Sequence, residues 1–298
     1  MKNTIYLLIT MTFFSAMLIS CCGKKTQKND QPVIQVQEQA QVEEKVKMQE
    51  LEIANPDYED GIIYGKLFRP EREGKFPLII LSHGYNAACG DFDGDSEFFA
   101  RNGFASFAYD FAGGSSRSKS TGKTSEMTLL TEKSNLITVL EYLIKQDFVD
   151  SDKVVLLGAS QGGLISALVA DEFPSKIKAL ELFYPAFCIP DDWRRTFPEG
   201  SIIPEEKNFW GLDLGKEFFE VARAMHVEEV TGKFPGPVLI LHGDNDQVVP
   251  YQSVWDAKKR YSDARLELFA NEGHGFSYQG AVRARQMVVD HAKKALGL

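Results

Sequence analysis

The sequence holds only four cysteines in 298 residues, Cys21, Cys22, Cys89 and Cys188, and none of their spacings suits a zinc site. An H-E-x-x-H pair is missing too, so no metal centre is expected. The stretch "GKT" at 122–124 ends like a phosphate loop, but the glycine required five positions earlier is Arg117, and no nucleotide or other cofactor is expected. Basic residues are outnumbered, with 33 Lys and Arg against 42 Asp and Glu and a formal net charge of -9. With no long Lys/Arg cluster, the chain lacks the surface that phosphate neutralisation needs, which excludes a nucleic-acid partner. No internal repeat is present. No apolar run reaches the roughly 20 residues that a bilayer-spanning helix needs.

What remains is an ordinary globular composition, 44% hydrophobic and 25% charged, preceded by a segment of another kind. Lys2 is followed by "IYLLITMTFFSAMLIS", about 16 apolar residues, and then Cys21. That length suits an export signal rather than a membrane span. The residues "LISC" at 18–21 resemble the bacterial lipobox. The resemblance implies a signal peptide over 1–20 and a mature N-terminus at a lipidated Cys21, anchored through its acyl chains to a membrane of the cell envelope. A plain secretory signal with a soluble product is the other reading. Residues 21–49 turn polar and rich in Gln, Lys and Glu, as a tether would, with an end-to-end distance on the order of 25–30 Å. Cys89 and Cys188 lie beyond it; in an oxidising compartment they could pair, and the sequence does not tell whether they do.

From residue 50 to 298 short apolar runs alternate with helical patterns. "GIIYGKLFRP" alternates like a half-exposed strand. "FPLIILSHG", "GFASFAYDF", "DKVVLLGAS", "IKALELFYP", "GPVLILHG" and "ARLELFAN" read as mostly buried strands. Leu129, Leu136, Leu140 and Leu143 mark one helix, and the closing segment from Gly280 marks another. Buried strands alternating with helices imply an α/β fold with a mostly parallel sheet covered on both faces. Residues 186–232 break the alternation and carry Phe187, Trp193, Phe197, Phe209, Trp210, Phe218 and Phe219, an aromatic insertion with the size of a cap. Most of these rings should pack the cap's own core, with one or two facing a ligand.

The chemistry concentrates in loops after strands. "GASQGG" places Gly158, Ser160 and Gly162 as G-x-S-x-G at a strand-to-helix turn, where small neighbours let a serine sit in a strained conformation with its oxygen exposed. "LSHGYN" ends an earlier strand; the backbone N–H groups of Tyr85 and of Gln161, the residue after the serine, are the expected oxyanion donors, and His83 is expected to be structural. "HGDNDQVVP" offers Asp244 and Asp246, and "EGHGF" places His274 in a glycine-flanked loop. The order serine, acid, histidine is that of α/β-hydrolases.

On these motifs the domain resembles α/β-hydrolases of the dienelactone-hydrolase and prolyl-oligopeptidase-like group, and among them the bacterial feruloyl (cinnamoyl) esterases. The chain departs from their pattern at Ala159, where a histidine is usual, and at "FAGGSSRS", where a G-H-G-x-S loop is common. The resemblance selects Asp246, the aspartate of D-x-x-V-P, as the acid and leaves His226, His242 and His291 outside the site. It implies a cofactor-free serine carboxylic-ester hydrolase, working through an acyl-enzyme on small or aromatic esters. A peptidase or amidase of the prolyl-oligopeptidase type and a non-catalytic binding lipoprotein are the alternatives. Oligomeric state is left open.

Overall fold

The computed structural model describes residues 44–298; the segment that reads as an export signal, Cys21 and nearly all of the segment that reads as a tether lie outside the described residues. Strands β1 (Val46–Ala54), β2 (Ile62–Pro70), β3 (Phe76–Ser82), β4 (Ala105–Tyr109), β5 (Val149–Ala159), β6 (Ala179–Phe183), β9 (Val238–Gly243) and β10 (Ala264–Phe269) form one sheet in the order β1-β2-β4-β3-β5-β6-β9-β10. β2 runs antiparallel to both β1 and β4, and every later pairing is parallel. Strand β1 begins inside the segment that reads as tether. It is an edge strand whose residues are mostly exposed, so it shows no apolar period to betray it.

Alternate residues of the central strands enter two separate cores. Leu78, Ile80, Val154, Leu156, Val238 and Ile240 face helices α2 (Leu129–Leu143), α3 (Gln161–Glu172) and α7 (Tyr251–Arg260). Ile79, Leu81, Val155, Leu157, Leu239 and Leu241 face α1 (Asp93–Arg101) and α8 (Tyr278–Leu296). Burial on both faces is why these strands read as continuous apolar runs. Helix α3 lies deepest, with every residue from Gln161 to Ala170 buried, which removes the polar stripe a surface helix would show.

The aromatic insertion contains helices α4 (Ile189–Thr196), α5 (Lys216–Ala224) and α6 (Val227–Val230) and the hairpin β7 (Glu206–Phe209) and β8 (Leu212–Gly215). Trp193 is its hub, stacked on Phe197 and edge-on to Phe209, Phe218 and Phe219. Cys89 and Cys188 are both buried and both free thiols, so no disulfide joins them.

Candidate active site

The chain leaves β3 for β4 on one side and returns to β5 on the other, and at such a reversal of strand order a crevice opens outside the carboxyl ends of the strands. The loops after β3, β5, β9 and β10 all reach it. Ser160 follows β5 with φ 52° and ψ -120°, outside the usual conformations of a residue with a side chain. Backbone hydrogen bonds hold it there: its N–H donates to the Phe183 carbonyl at 2.9 Å, and its own carbonyl accepts from Gly163 and Ala186, each at 2.9 Å, and from Leu164 at 3.4 Å. The glycines around it answer to close approach. A Cβ on Gly158 would lie 2.2 Å from the Gly162 carbonyl oxygen, and one on Gly162 would lie 2.2 Å from the Ser82 carbonyl oxygen. Strand, helix and the loop after β3 pass too closely for any side chain.

His274 Nε2 lies 3.0 Å from Ser160 Oγ, and His274 Nδ1 lies 2.8 Å from Asp246 Oδ2. Asp246 Oδ1 accepts the backbone N–H groups of Val248 at 2.8 Å and Val249 at 2.9 Å. Burial by itself would raise the Asp246 carboxyl, but the Val249 amide, His274 and the Val248 amide together hold it below the ordinary carboxylate range. The acid is therefore anionic and aimed at one nitrogen, which leaves Nε2 free to accept the Ser160 proton. Asp244, the other aspartate of the motif, stays outside this relay and accepts the Asn271 N–H at 2.7 Å, tying the Asp246 loop to the start of the His274 loop.

The amides of Tyr85 and Gln161 are the expected oxyanion donors. Among the described residues neither the Tyr85 nor the Gln161 backbone N–H has an acceptor. Gly84 brings the first of their loops against the nucleophile; a Cβ there would lie 3.0 Å from Ser160 Cβ. His83 is buried and accepts the Phe111 N–H on Nε2 at 3.1 Å, while its Nδ1 meets the Gly84 carbonyl at 2.7 Å. Burial lowers its pKa, so it is a neutral brace for the loop. His242 is buried beneath Asp246, 3.8 Å away, His291 pairs with Glu181, and His226 lies in the cap beside Glu228. None of the three reaches Ser160.

Two cavities flank the serine. One of about 380 Å³ is lined by His274, Tyr184, Phe276, Asp91 and Asp95. The other, about 260 Å³, lies under the cap and is lined by Gln161, Ile189, Trp193, Phe209 and Phe218. Trp210 and Val248 border both. Tyr184 has no motif to mark it, yet its ring packs edge-on to His274 at 4.6 Å. Its sequence signal is only that "FYP" ends a strand.

The sequence model of the prolyl oligopeptidase family matches residues 91–297. The chain belongs to the prolyl oligopeptidase family. A second model, acetyl xylan esterase (AXE1), matches residues 24–133 of this family member. Est1E from Butyrivibrio proteoclasticus with ferulic acid bound is 28% identical and superposes with a TM-score of 0.73, over 83% of this chain and all of that one. Acetyl xylan esterase from Paenibacillus sp. R4 is 16% identical with a TM-score of 0.64, over 86% of each chain, and supports the fold alone. The AB hydrolase superfamily protein YisY of Bacillus subtilis (strain 168) is 23% identical over 163 residues, 50% of this chain and 60% of that protein. The chain thus spans less than two thirds of the curated relatives it matches. The fold of this prolyl oligopeptidase-family chain is the α/β-hydrolase fold, and its serine, histidine and aspartate stand in the arrangement of a serine hydrolase.

Proposed function

We propose that this protein hydrolyses carboxylic esters through an acyl-enzyme on Ser160, with an aromatic or other apolar acyl group held under the cap. The observation that carries the reading is the continuous relay from Ser160 through His274 to Asp246, set between two cavities of different character. His274 takes the Ser160 proton as Oγ attacks the ester carbonyl, and Asp246 stabilises the imidazolium that forms. The Tyr85 and Gln161 N–H groups receive the oxyanion; one such donor contributes roughly 3 to 4 kcal/mol to lowering the barrier. His274 then protonates the leaving oxygen, so the alcohol must lie on the side that His274 lines. The acyl group stays bonded to Oγ and points the other way, into the cavity lined by Gln161, Trp193, Phe209 and Phe218. Water completes the cycle by attacking the acyl-enzyme, with His274 as base.

The likeness to Est1E, whose structure holds ferulic acid, supports methyl hydroxycinnamates as first substrates. A panel of these esters, p-nitrophenyl acyl esters, acetylated sugars and proline-ended peptides tests the proposal. Turnover of esters, abolished in Ser160→Ala, is expected. Cleavage of peptides in preference to esters would transfer the site to amide chemistry, and full ester turnover by the alanine variant would remove Ser160 from it.

We also infer that the domain is exported and held at a bacterial membrane by lipid on Cys21. The support is Lys2, the apolar segment and "LISC" in sequence. Cys21→Ala should move the protein from the membrane to the soluble fraction. Unchanged partition after washing would discard the anchor.

A further inference from the structure

Behind the oxyanion hole lies a carboxyl group that the reaction as described does not use. Glu132 sits in the first turn of α2, 1% exposed, and among the described residues no Lys, Arg or His pairs with it. Among the described residues its carboxyl has one hydrogen-bond partner, Gln161, whose side-chain Nε2 donates to Glu132 Oε2 at 2.7 Å. Gln161 is itself 2% exposed, and its Nε2 otherwise meets only the Met127 sulfur at 3.8 Å. The residue that supplies an oxyanion donor through its backbone is therefore anchored through its side chain to one buried acid.

We propose that Glu132 is a positioning residue for the oxyanion hole, fixing the Gln161 side chain and with it the direction of the Gln161 backbone N–H. Gln161 is the first residue of α3 and borders the cap-side cavity, so no preceding helical turn holds it. Without its anchor the buried amide would be left unpaired and would turn toward the cavity to find a partner.

The carboxyl works as a neutral group. Around it, the Tyr85 phenol faces it from the loop after β3 and the Tyr109 phenol from β4, both raised chiefly by burial and so both uncharged. His83 lies near it across Gly114, where a Cβ would be 3.2 Å from Glu132 Oε1 and 3.5 Å from His83 Cε1; that imidazole is neutral as well. Helix α3 contributes Gln161, the Met127 turn contributes sulfur, and α5, which also packs on α2, supplies no ionic partner. The N-terminal dipole of α2 favours the anion, and the Gln161 bond favours it too. Burial outweighs both and pushes the Glu132 carboxyl up to about 8. At neutral pH no second negative charge stands behind the oxyanion, and above pH 8 one does.

This rests on the ester-hydrolase reading of Ser160, and two measurements separate the claims. The first is kcat and KM for p-nitrophenyl acetate between pH 6 and 10 in the wild type, Glu132→Gln and Glu132→Ala. Wild-type kcat should fall as pH rises through about 8. Glu132→Ala should lose on the order of tenfold or more in kcat at pH 7, with KM changed far less, as loss of part of one oxyanion donor would do. Glu132→Gln, which keeps an acceptor for Gln161 but cannot ionise, should restore most of that loss and abolish the alkaline fall. An alkaline fall that persists in Glu132→Gln, or an alanine variant with wild-type kcat, overturns the proposal. The second measurement is the backbone ¹H–¹⁵N resonance of Gln161, which should move with pH through the same range in the wild type and stay still in Glu132→Gln. It needs neither turnover nor a folded alanine variant. If no ester is hydrolysed at all, the functional reading fails, and a pH-independent wild-type resonance would separately overturn the role of Glu132.

Discussion

Replacing Gly162 by alanine sets two effects of opposite sign against each other. Gly162 lies in helix α3, where alanine is intrinsically better than glycine by about 1 kcal/mol. Against this, the new Cβ would stand 2.2 Å from the Ser82 carbonyl oxygen and 2.3 Å from the His83 carbonyl oxygen. Both are main-chain atoms at the end of a buried central strand, so no rotamer change relieves the contact. An ordinary carbon–oxygen contact requires a separation of roughly an ångström more, and helix and loop must move apart by that amount. Overpacking of this kind costs roughly 1 to 3 kcal/mol, toward the upper end where backbone must yield. The net expectation is a loss of about 1 to 2 kcal/mol, or roughly 2 to 4 °C in Tm for a domain of this size. Activity should suffer more, because the loop that shifts carries the Tyr85 amide; misplacing an oxyanion donor by about an ångström costs on the order of 100-fold in kcat. Differential scanning calorimetry and p-nitrophenyl ester hydrolysis give both numbers. A Gly162→Ala protein at least as stable as the wild type, with kcat within twofold, would refute the claim that close approach, and not turn geometry, requires glycine at this position.

Three other outcomes follow from particular contacts. A carboxyl raised from 4.5 to about 8 in the native state keeps a proton that the unfolded chain has released, so stability falls as pH rises between those values, by at most about 5 kcal/mol; urea unfolding of Glu132→Gln should lose less between pH 5 and pH 8 than the wild type does. The Tyr85 hydroxyl donates to the Phe209 carbonyl at 2.5 Å and so ties the oxyanion loop to the β7–β8 hairpin. Tyr85→Phe should raise KM for hydroxycinnamates several-fold and speed hydrogen exchange in the hairpin, and unchanged exchange would show that the bond holds nothing. The Cys89 and Cys188 thiols are buried and raised by that burial, so iodoacetamide should spare both in the native protein and label both after denaturation without reductant; a linked pair of peptides in the map would contradict the free thiols.

The strands were legible because most are central: burial on both faces makes the stretches 78–81 of β3, 154–157 of β5 and 238–241 of β9 wholly apolar, and the turn residues after them stand out. Strand β1 was not, since an edge strand facing water needs no apolar face. The serine, aspartate and histidine were legible for a related reason. Each sits in a short loop whose glycines and small residues satisfy local demands of the backbone, and such demands leave a mark in consecutive residues. Tyr184 and Glu132 leave no such mark, because what defines them is a neighbour across the fold.

Local chain chemistry thus determined the α/β alternation, the strained turn at Ser160 and the candidates offered by the loops after β3, β5, β9 and β10. Only the tertiary structure decided that Cys89 and Cys188 stay apart and that Gln161 leans on a glutamate 29 residues away. Only it set two cavities on either side of the nucleophile. The reason is physical: backbone conformation is dictated by residues adjacent in sequence, whereas distances between side chains, and the burial that sets their charge, depend on packing between segments that the chain order does not relate.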